Sequence, residues 1–206
     1  MRKDFKGLQM ISLDVTRIES KTLKVNKEKF NLSGLLSNIV QDYKNNIEKS
    51  NGSIRLSYNQ PNKGSFIVEA DRERVTQIIS NLLNNAIKFT EERRGDVHVI
   101  AEEVEKADQK LVIVTIRDTG TGIDPEISPR LFTKFATKSN TRTGLGLFIC
   151  KSIIEAHGDK IWAQNNKDRE GGATLAFSLP LSKEHEQLRP ILSNNKLEIT
   201  DQDEEE

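Results

Sequence analysis

The sequence is poor in several things, and each scarcity excludes something. Among 206 residues there is one cysteine, Cys150, so no internal disulfide is possible and a reducing compartment suits the chain. Cys150 sits in an apolar run and reads as a small core residue, not a nucleophile. No stretch approaches the roughly 18 consecutive apolar residues of a membrane span, and the N-terminus lacks the apolar core of a signal peptide. The expected location is the cytoplasm. Net charge is missing as well: 31 basic residues balance 31 acidic ones, which points to neither nucleic acid nor a membrane surface. The balance hides an asymmetry. D-Q-D-E-E-E at 201–206 holds five acidic residues, leaving residues 1–200 with 31 basic against 26 acidic, a mild surplus that suits a polyphosphate. There is no internal repeat and no long linker, and the length allows one domain plus extensions.

What the chain does have is a helix with a costly polar face, D-R-E-R-V-T-Q-I-I-S-N-L-L-N-N-A-I-K-F-T from Asp71 to Thr90. Asp71 can cap its start, and Glu73 suits the positive end of the helix dipole. At about 100° per residue, Val75, Ile78, Ile79, Leu82, Ala86 and Phe89 gather into a core face. Arg74, Gln77, Asn81, Asn85 and Lys88 gather opposite. A polar stripe is usually a solvated face, but asparagine is a poor helix former because its amide competes for backbone hydrogen bonds. Asn81, Asn84 and Asn85 together cost about 0.5 kcal/mol each relative to alanine, which suggests amides displayed for a purpose. An amide oxygen is a hard, neutral ligand suited to Mg²⁺ already carrying phosphate oxygens. Asn85 is the candidate metal ligand, and Lys88 adds a point charge one turn on.

These residues resemble a family. N-L-L-N-N-A-I-K-F-T is similar to the N box of sensor histidine kinases, within the GHKL superfamily of gyrase, chaperone, histidine kinase and mismatch-repair ATPases. The resemblance continues in family order through D-T-G-T-G-I, L-F-T-K-F and T-G-L-G-L, over roughly residues 10 to 180. It implies ATP and Mg²⁺ as ligands and the Bergerat ATP-binding fold.

Along the chain, residues 1 to about 22 read as helix, with Leu8, Ile11, Val15 and Ile18 in a heptad-like seam. Such a seam fits either a partner helix, and so a homodimer, or packing on the chain's own domain. By resemblance this is the end of the second helix of a dimerisation hairpin, and Thr22 to Asn31 is the connector. Residues 32–49 read as a second helix. Ile54–Tyr58 and Phe66–Ala70 read as a pair of strands. Val97–Ala101 and Leu111–Arg117 read as a hairpin ending at Asp118, and a loop of about 25 residues follows, a candidate lid. Gly144–Ala156 reads as helix with Gly158 at its C-cap, and Ile161–Gln164 with Ala173–Leu179 as a last hairpin. The fold class is α+β, a mixed α/β sandwich whose sheet is covered on one face by helices. Three segments are expected: residues 1–24 as hairpin end and connector, 25–182 as the ATP-binding domain, and 183–206 as a disordered polar tail.

Asp118 ends an apolar strand and opens D-T-G-T-G. A carboxylate there can accept from an exocyclic amine, and Gly120 and Gly122 supply positive φ and close approach. The resemblance makes this the adenine site, with Ile123 packed on the ring and Thr174 supporting the aspartate. By resemblance L-F-T-K-F is the F box, which clasps the lid base, and Lys134 within it or Lys138 beyond it could reach the γ-phosphate. Thr143, Gly144, Leu145, Gly146 and Leu147 open a helix whose N–H groups can bind phosphate. The family writes glycine where this chain has Arg142.

Hydrolysing relatives place a glutamate one turn before the magnesium asparagine. Here that place holds Asn81, which cannot act as a general base, so transfer is favoured over hydrolysis. The resemblance implies a histidine kinase catalytic domain that phosphorylates a histidine hairpin in cis or in trans and serves a response regulator receiver domain. Its H box is expected upstream of Met1. His98 and His157 read as structural, and H-E-Q-L-R-P at His185 has the H-box spacing but an out-of-place basic residue. The alternatives are an anti-sigma-type protein-serine kinase and a nucleotide-gated binding module without catalysis.

Overall fold

The computed structural model describes residues 13–50, 52–61, 64–91, 95–106, 109–137, 143–168 and 171–183. Within them, α1 (residues 13–19) is followed by β1 (Glu28–Asn31), α2 (Leu32–Lys49), β2 (Arg55–Asn59), β3 (Ile67–Ala70) and α3 (Arg72–Glu91). Then come β4 (Asp96–Lys106), β5 (Gln109–Asp118), a 3₁₀ turn (Ser128–Arg130), α4 (Gly146–His157), β6 (Ile161–Asn165) and β7 (Ala173–Pro180).

Five strands form one mixed sheet in the order β2-β4-β5-β7-β6, parallel only between β2 and β4. The period of two is visible in its burial. Val97, Val99 and Ala101 of β4 and Val112, Val114 and Ile116 of β5 are fully buried under the helices, while their neighbours stay half-exposed. The helices over that face supply Leu32, Leu36, Val75, Ile78, Ile79, Leu82, Ile149 and Ile153, all fully buried. The α+β sandwich read from the sequence is the fold observed.

Several elements form for local reasons. Asn31 caps α2 by accepting the Gly34 N–H at 3.0 Å. Asp71 does the same for α3, accepting the Arg74 N–H at 3.1 Å. Gly158 closes α4 in the left-handed conformation, at φ 89°.

Three expectations need correction. The connector expected at 22–31 ends in a strand: β1 pairs antiparallel with β3 in a small second sheet, with Phe30 opposite Val68. The segments expected to pair with each other, β2 and β3, therefore lie in different sheets, because β2 takes β4 as its parallel neighbour. Phe89 is not core but 44% exposed, while Leu83 and Thr90 are buried. At this last turn the helix meets the loop after β5 with its backbone. A Cβ on Gly120 would lie 2.4 Å from the Phe89 carbonyl oxygen.

The outgoing chain returns to the strand that the incoming one pairs with. Leu181 bridges Val68 antiparallel, and the Ser182 N–H donates to the Ile67 carbonyl at 2.8 Å. β3 is thus held by β1 and by the outgoing chain, and it runs straight into Asp71 and α3. Of the α1 seam, Val15 and Ile18 pack against the domain's own core. Leu8 and Ile11 lie outside the described residues.

Candidate nucleotide-binding site

The three asparagines of α3 have different jobs. Asn81 donates from Nδ2 to Cys150 Sγ at 3.6 Å, and a Cβ on Gly146 would meet the Asn81 amide at 3.7 Å. Asn81 therefore stands at the first turn of α4. Asn84 accepts from the Tyr43 hydroxyl at 2.9 Å and ties α3 to α2, so this one of the three costly asparagines is structural. Asn85 is half-buried and Lys88 exposed on the same helix. Burial pushes the Cys150 thiol up to about 12, as befits a core residue and not a nucleophile.

Facing this helix, β5 delivers Asp118, only 2% exposed. Its Oδ1 accepts the N–H of Gly120 at 2.9 Å and of Ala173 at 3.2 Å. Burial raises its pKa, opposed by those two N–H groups and by the charge of Arg117. Of the two loop glycines only Gly122 has positive φ, at 78°. The sequence reading expected it of both, but Gly120 is needed for closeness to α3. Ile123 is half-buried against the core. Thr174 does not bond the Asp118 carboxylate. Its hydroxyl donates to Asn166 Oδ1 at 2.6 Å, and Asn166 Nδ2 donates to the Asp118 carbonyl at 2.8 Å, so the support reaches the aspartate's backbone through a residue the sequence did not single out.

The long loop narrows at its base. Gly144, at φ 63°, lies so close to the Phe135 backbone that a Cβ would come within 2.7 Å of it. Phe135 itself has φ 60° and is 66% exposed. The F-box segment 131–135 is a succession of turns, not a short helix. Lys134 bonds Glu19 of α1 and lies 5.3 Å from the Phe148 ring centroid. Among the described residues no side chain caps α4, which begins at Gly146 with Leu145 as its N-cap. Leu145 and Leu147 pack partly on the core, and Thr143 is exposed. Lys138, Arg142 and His185 lie outside the described residues.

The site is thus a helix bearing amides, a buried carboxylate at a strand end and an uncapped helix start, brought together from three parts of the chain. Residues 70–183, more than half of it, match the family described as histidine kinase-, DNA gyrase B- and HSP90-like ATPases. The chain belongs to this family. Within this ATPase family it is 37% identical over 122 residues to the sensor protein FixL of Bradyrhizobium diazoefficiens, covering 59% of this chain and 23% of FixL. It is 30% identical over 180 residues to the sensor histidine kinase WalK of Bacillus subtilis, covering 84% of this chain and 28% of WalK. The chain spans about a quarter of the length of these relatives. Among solved structures it is similar to the catalytic domain of histidine kinase ThkA, with TM-score 0.65 and 32% identity over 78% of this chain and 99% of that one. It is also similar to ThkA solved in complex with the response regulator TrrA, with TM-score 0.65 and 29% identity over 87% of this chain and 50% of that one.

Proposed function

We propose that this domain binds Mg·ATP and transfers the γ-phosphate to a histidine on a separate helical hairpin, as the catalytic domain of a two-component sensor histidine kinase. The observation that carries the proposal is the placing of Asn81 at the first turn of α4. It supports a reading in which the amide helix and the glycine-rich helix start share one polyphosphate. Asp118, Gly120, Gly122, Ile123 and Thr174 are assigned to the adenine end. Thr143, Gly144, Leu145, Gly146 and Leu147, with Lys138, are assigned to the phosphates.

The donor set fits Mg²⁺ of one kind. Among the described residues no three His, Cys, Asp or Glu side chains come together to hold a metal. A neutral amide suits an ion that arrives with the phosphates, and Asn85 is assigned as its ligand. Mg²⁺ bound with ATP neutralises phosphate charge. The residues of the chain do the rest. Lys88 offers a further positive charge, and the α4 N–H groups orient the phosphates. Asn81 stands where a general base would be needed for hydrolysis and cannot accept water's proton, which favours a nucleophile supplied by a partner. That partner is the acceptor hairpin, and a response regulator receiver domain is the next recipient. No helix among the described residues is long and apolar enough to cross a membrane, and we place the domain in the cytoplasm with its ATP.

Two measurements test this. Asn85→Ala should weaken Mg·ATP binding on the order of 100-fold by calorimetry, about 2.7 kcal/mol, with an unchanged circular dichroism spectrum. Unchanged affinity would remove Asn85 from the site. With radioactive γ-phosphate, the purified chain should leave itself unlabelled and slowly label a histidine-bearing hairpin added in trans, because no tether raises the local concentration. Tight ATP binding without transfer to any hairpin would overturn the kinase reading.

A further inference from the structure

Two adjacent asparagines at the end of β6 hold the loop that follows Asp118. Asn165 is exposed, yet both ends of its amide are used. Its Oδ1 accepts the Ile123 N–H at 2.6 Å, and its Nδ2 donates to the Ile123 carbonyl at 2.9 Å. The side chain pairs with one residue's backbone as a neighbouring strand would. Asn166 donates from Nδ2 to the carbonyls of Asp118 at 2.8 Å and Gly171 at 2.7 Å, and its own N–H donates to the Gly172 carbonyl at 3.0 Å. The glycines around them permit this closeness. A Cβ on Gly122 would lie 2.9 Å from Asn165 Oδ1, and one on Gly172 would lie 2.0 Å from the Asp118 carbonyl oxygen.

A glycine-bearing loop has more conformational freedom to lose than other loops. A hydrogen bond at or near the surface contributes little net stability to folding, so this set is a modest source of it. Its target is specific: three of the bonds fall on Asp118 and Ile123, the two residues assigned to the base. We propose that Asn165 and Asn166 are positioning residues for base selection, fixing the Asp118 carboxylate and the Ile123 side chain at the separation an adenine ring requires. The inference rests on the reading of Asp118 as the adenine-reading residue. It makes β6, which touches no nucleotide in that reading, a determinant of selectivity. Freeing the loop moves the carboxylate off the exocyclic amine while the phosphate contacts at α4, on another element, persist.

The test compares ATP with purine riboside triphosphate, which lacks the 6-amino group, by calorimetry on the full chain. Wild type should prefer ATP. In Asn165→Ala, ATP should bind about tenfold more weakly, the analogue within about twofold of wild type, and Tm should hold because the residue is exposed. Asn165→Asp keeps the acceptor for the Ile123 N–H but sets an oxygen against the Ile123 carbonyl, and it should behave like the alanine variant. Asn166→Asp keeps the Thr174 bond, loses both bonds donated by Nδ2 and should also lose the preference for ATP. Equal losses for the two nucleotides, with or without a lower Tm, would mark the asparagines as merely structural and overturn the inference. So would an unchanged preference for ATP. A wild type that binds both nucleotides equally would instead overturn the assignment of Asp118 to adenine, and the inference with it.

Discussion

The His157 ring faces a carbonyl on one side and an N–H on the other, which fixes where its proton sits. Nδ1–H donates to the Ile153 carbonyl at 2.8 Å, and bare Nε2 accepts the Asp71 N–H at 2.9 Å. A second proton would set Nε2–H against that N–H, at the start of α3. Burial pushes the pKa below its ordinary 6.5 and the charge of Lys27 adds to this, against the Ile153 carbonyl and the carboxylates of Asp71 and Asp159. The unfolded chain therefore binds this proton more readily than the folded one. The His157 contribution is level above about pH 6.5 and is lost as pH falls through the lowered folded value. Asp118 works in the opposite sense. Its raised pKa gives a contribution fully present below the ordinary carboxylate value and lost as pH rises through the folded one. Urea midpoints measured from pH 7.5 down to 5 should fall more steeply in wild type than in His157→Gln, and equal slopes would refute the lowered His157 pKa. At this scale the sequence was readable where burial decides: Cys150 and His157 both read as structural, and both are. It was not readable where a distant partner decides. Asn84 looks like Asn81 and Asn85 in the sequence, and only the arrival of Tyr43 from α2 gives it a different task.

At the scale of elements, α2 has the bounds its pattern gave, because a cap and a one-sided apolar face are local signals. β1 escaped notice because E-K-F-N offers one apolar side chain, Phe30, and its pairing with β3 spans about forty residues. β2 and β3 were legible as strands, but their partners were not, since alternation records a buried face and not a partner. The seam residues Val15 and Ile18 made the docking of α1 one open reading, but the polar half of the contact was hidden. Asp14, 3% exposed, accepts from Arg74 Nη1 at 2.7 Å and from Gln77 Nε2 at 2.8 Å, and Arg74 Nη1 also donates to Gln77 at 2.8 Å. Removing one partner of a buried pair costs about 3–5 kcal/mol. Arg74→Met should release α1 instead of melting the domain, because undocking lets Asp14 reach water. Hydrogen exchange should speed up at residues 13–19 with β4 and β5 still protected. The double variant Asp14→Leu with Arg74→Met should restore slow exchange, since apolar replacement of both partners removes the penalty. Faster exchange in the double variant than in the single one would contradict this account.

At the scale of the whole molecule, the carboxylate at the end of β5 and the glycines after it were legible because they are consecutive. The asparagines that hold them were not, being 42 and 48 residues further along. The small second sheet has a mechanical consequence. β1 begins opposite Ala70, whereas the outgoing chain leaves beside Ile67, at the other end of β3. Tension applied between Lys27 and Lys183 therefore runs along the strands and shears their hydrogen bonds together, instead of unzipping them one by one. Single-molecule stretching between these two points should meet a distinct force peak, and Ile67→Pro, which bars a regular ladder at β3, should lower it. A featureless extension in the unaltered chain would show that the sheet bears no load. β3 continues directly into the helix that carries Asn81, Asn85 and Lys88, so a pull on either end of the domain is felt first by the strand from which the nucleotide helix hangs.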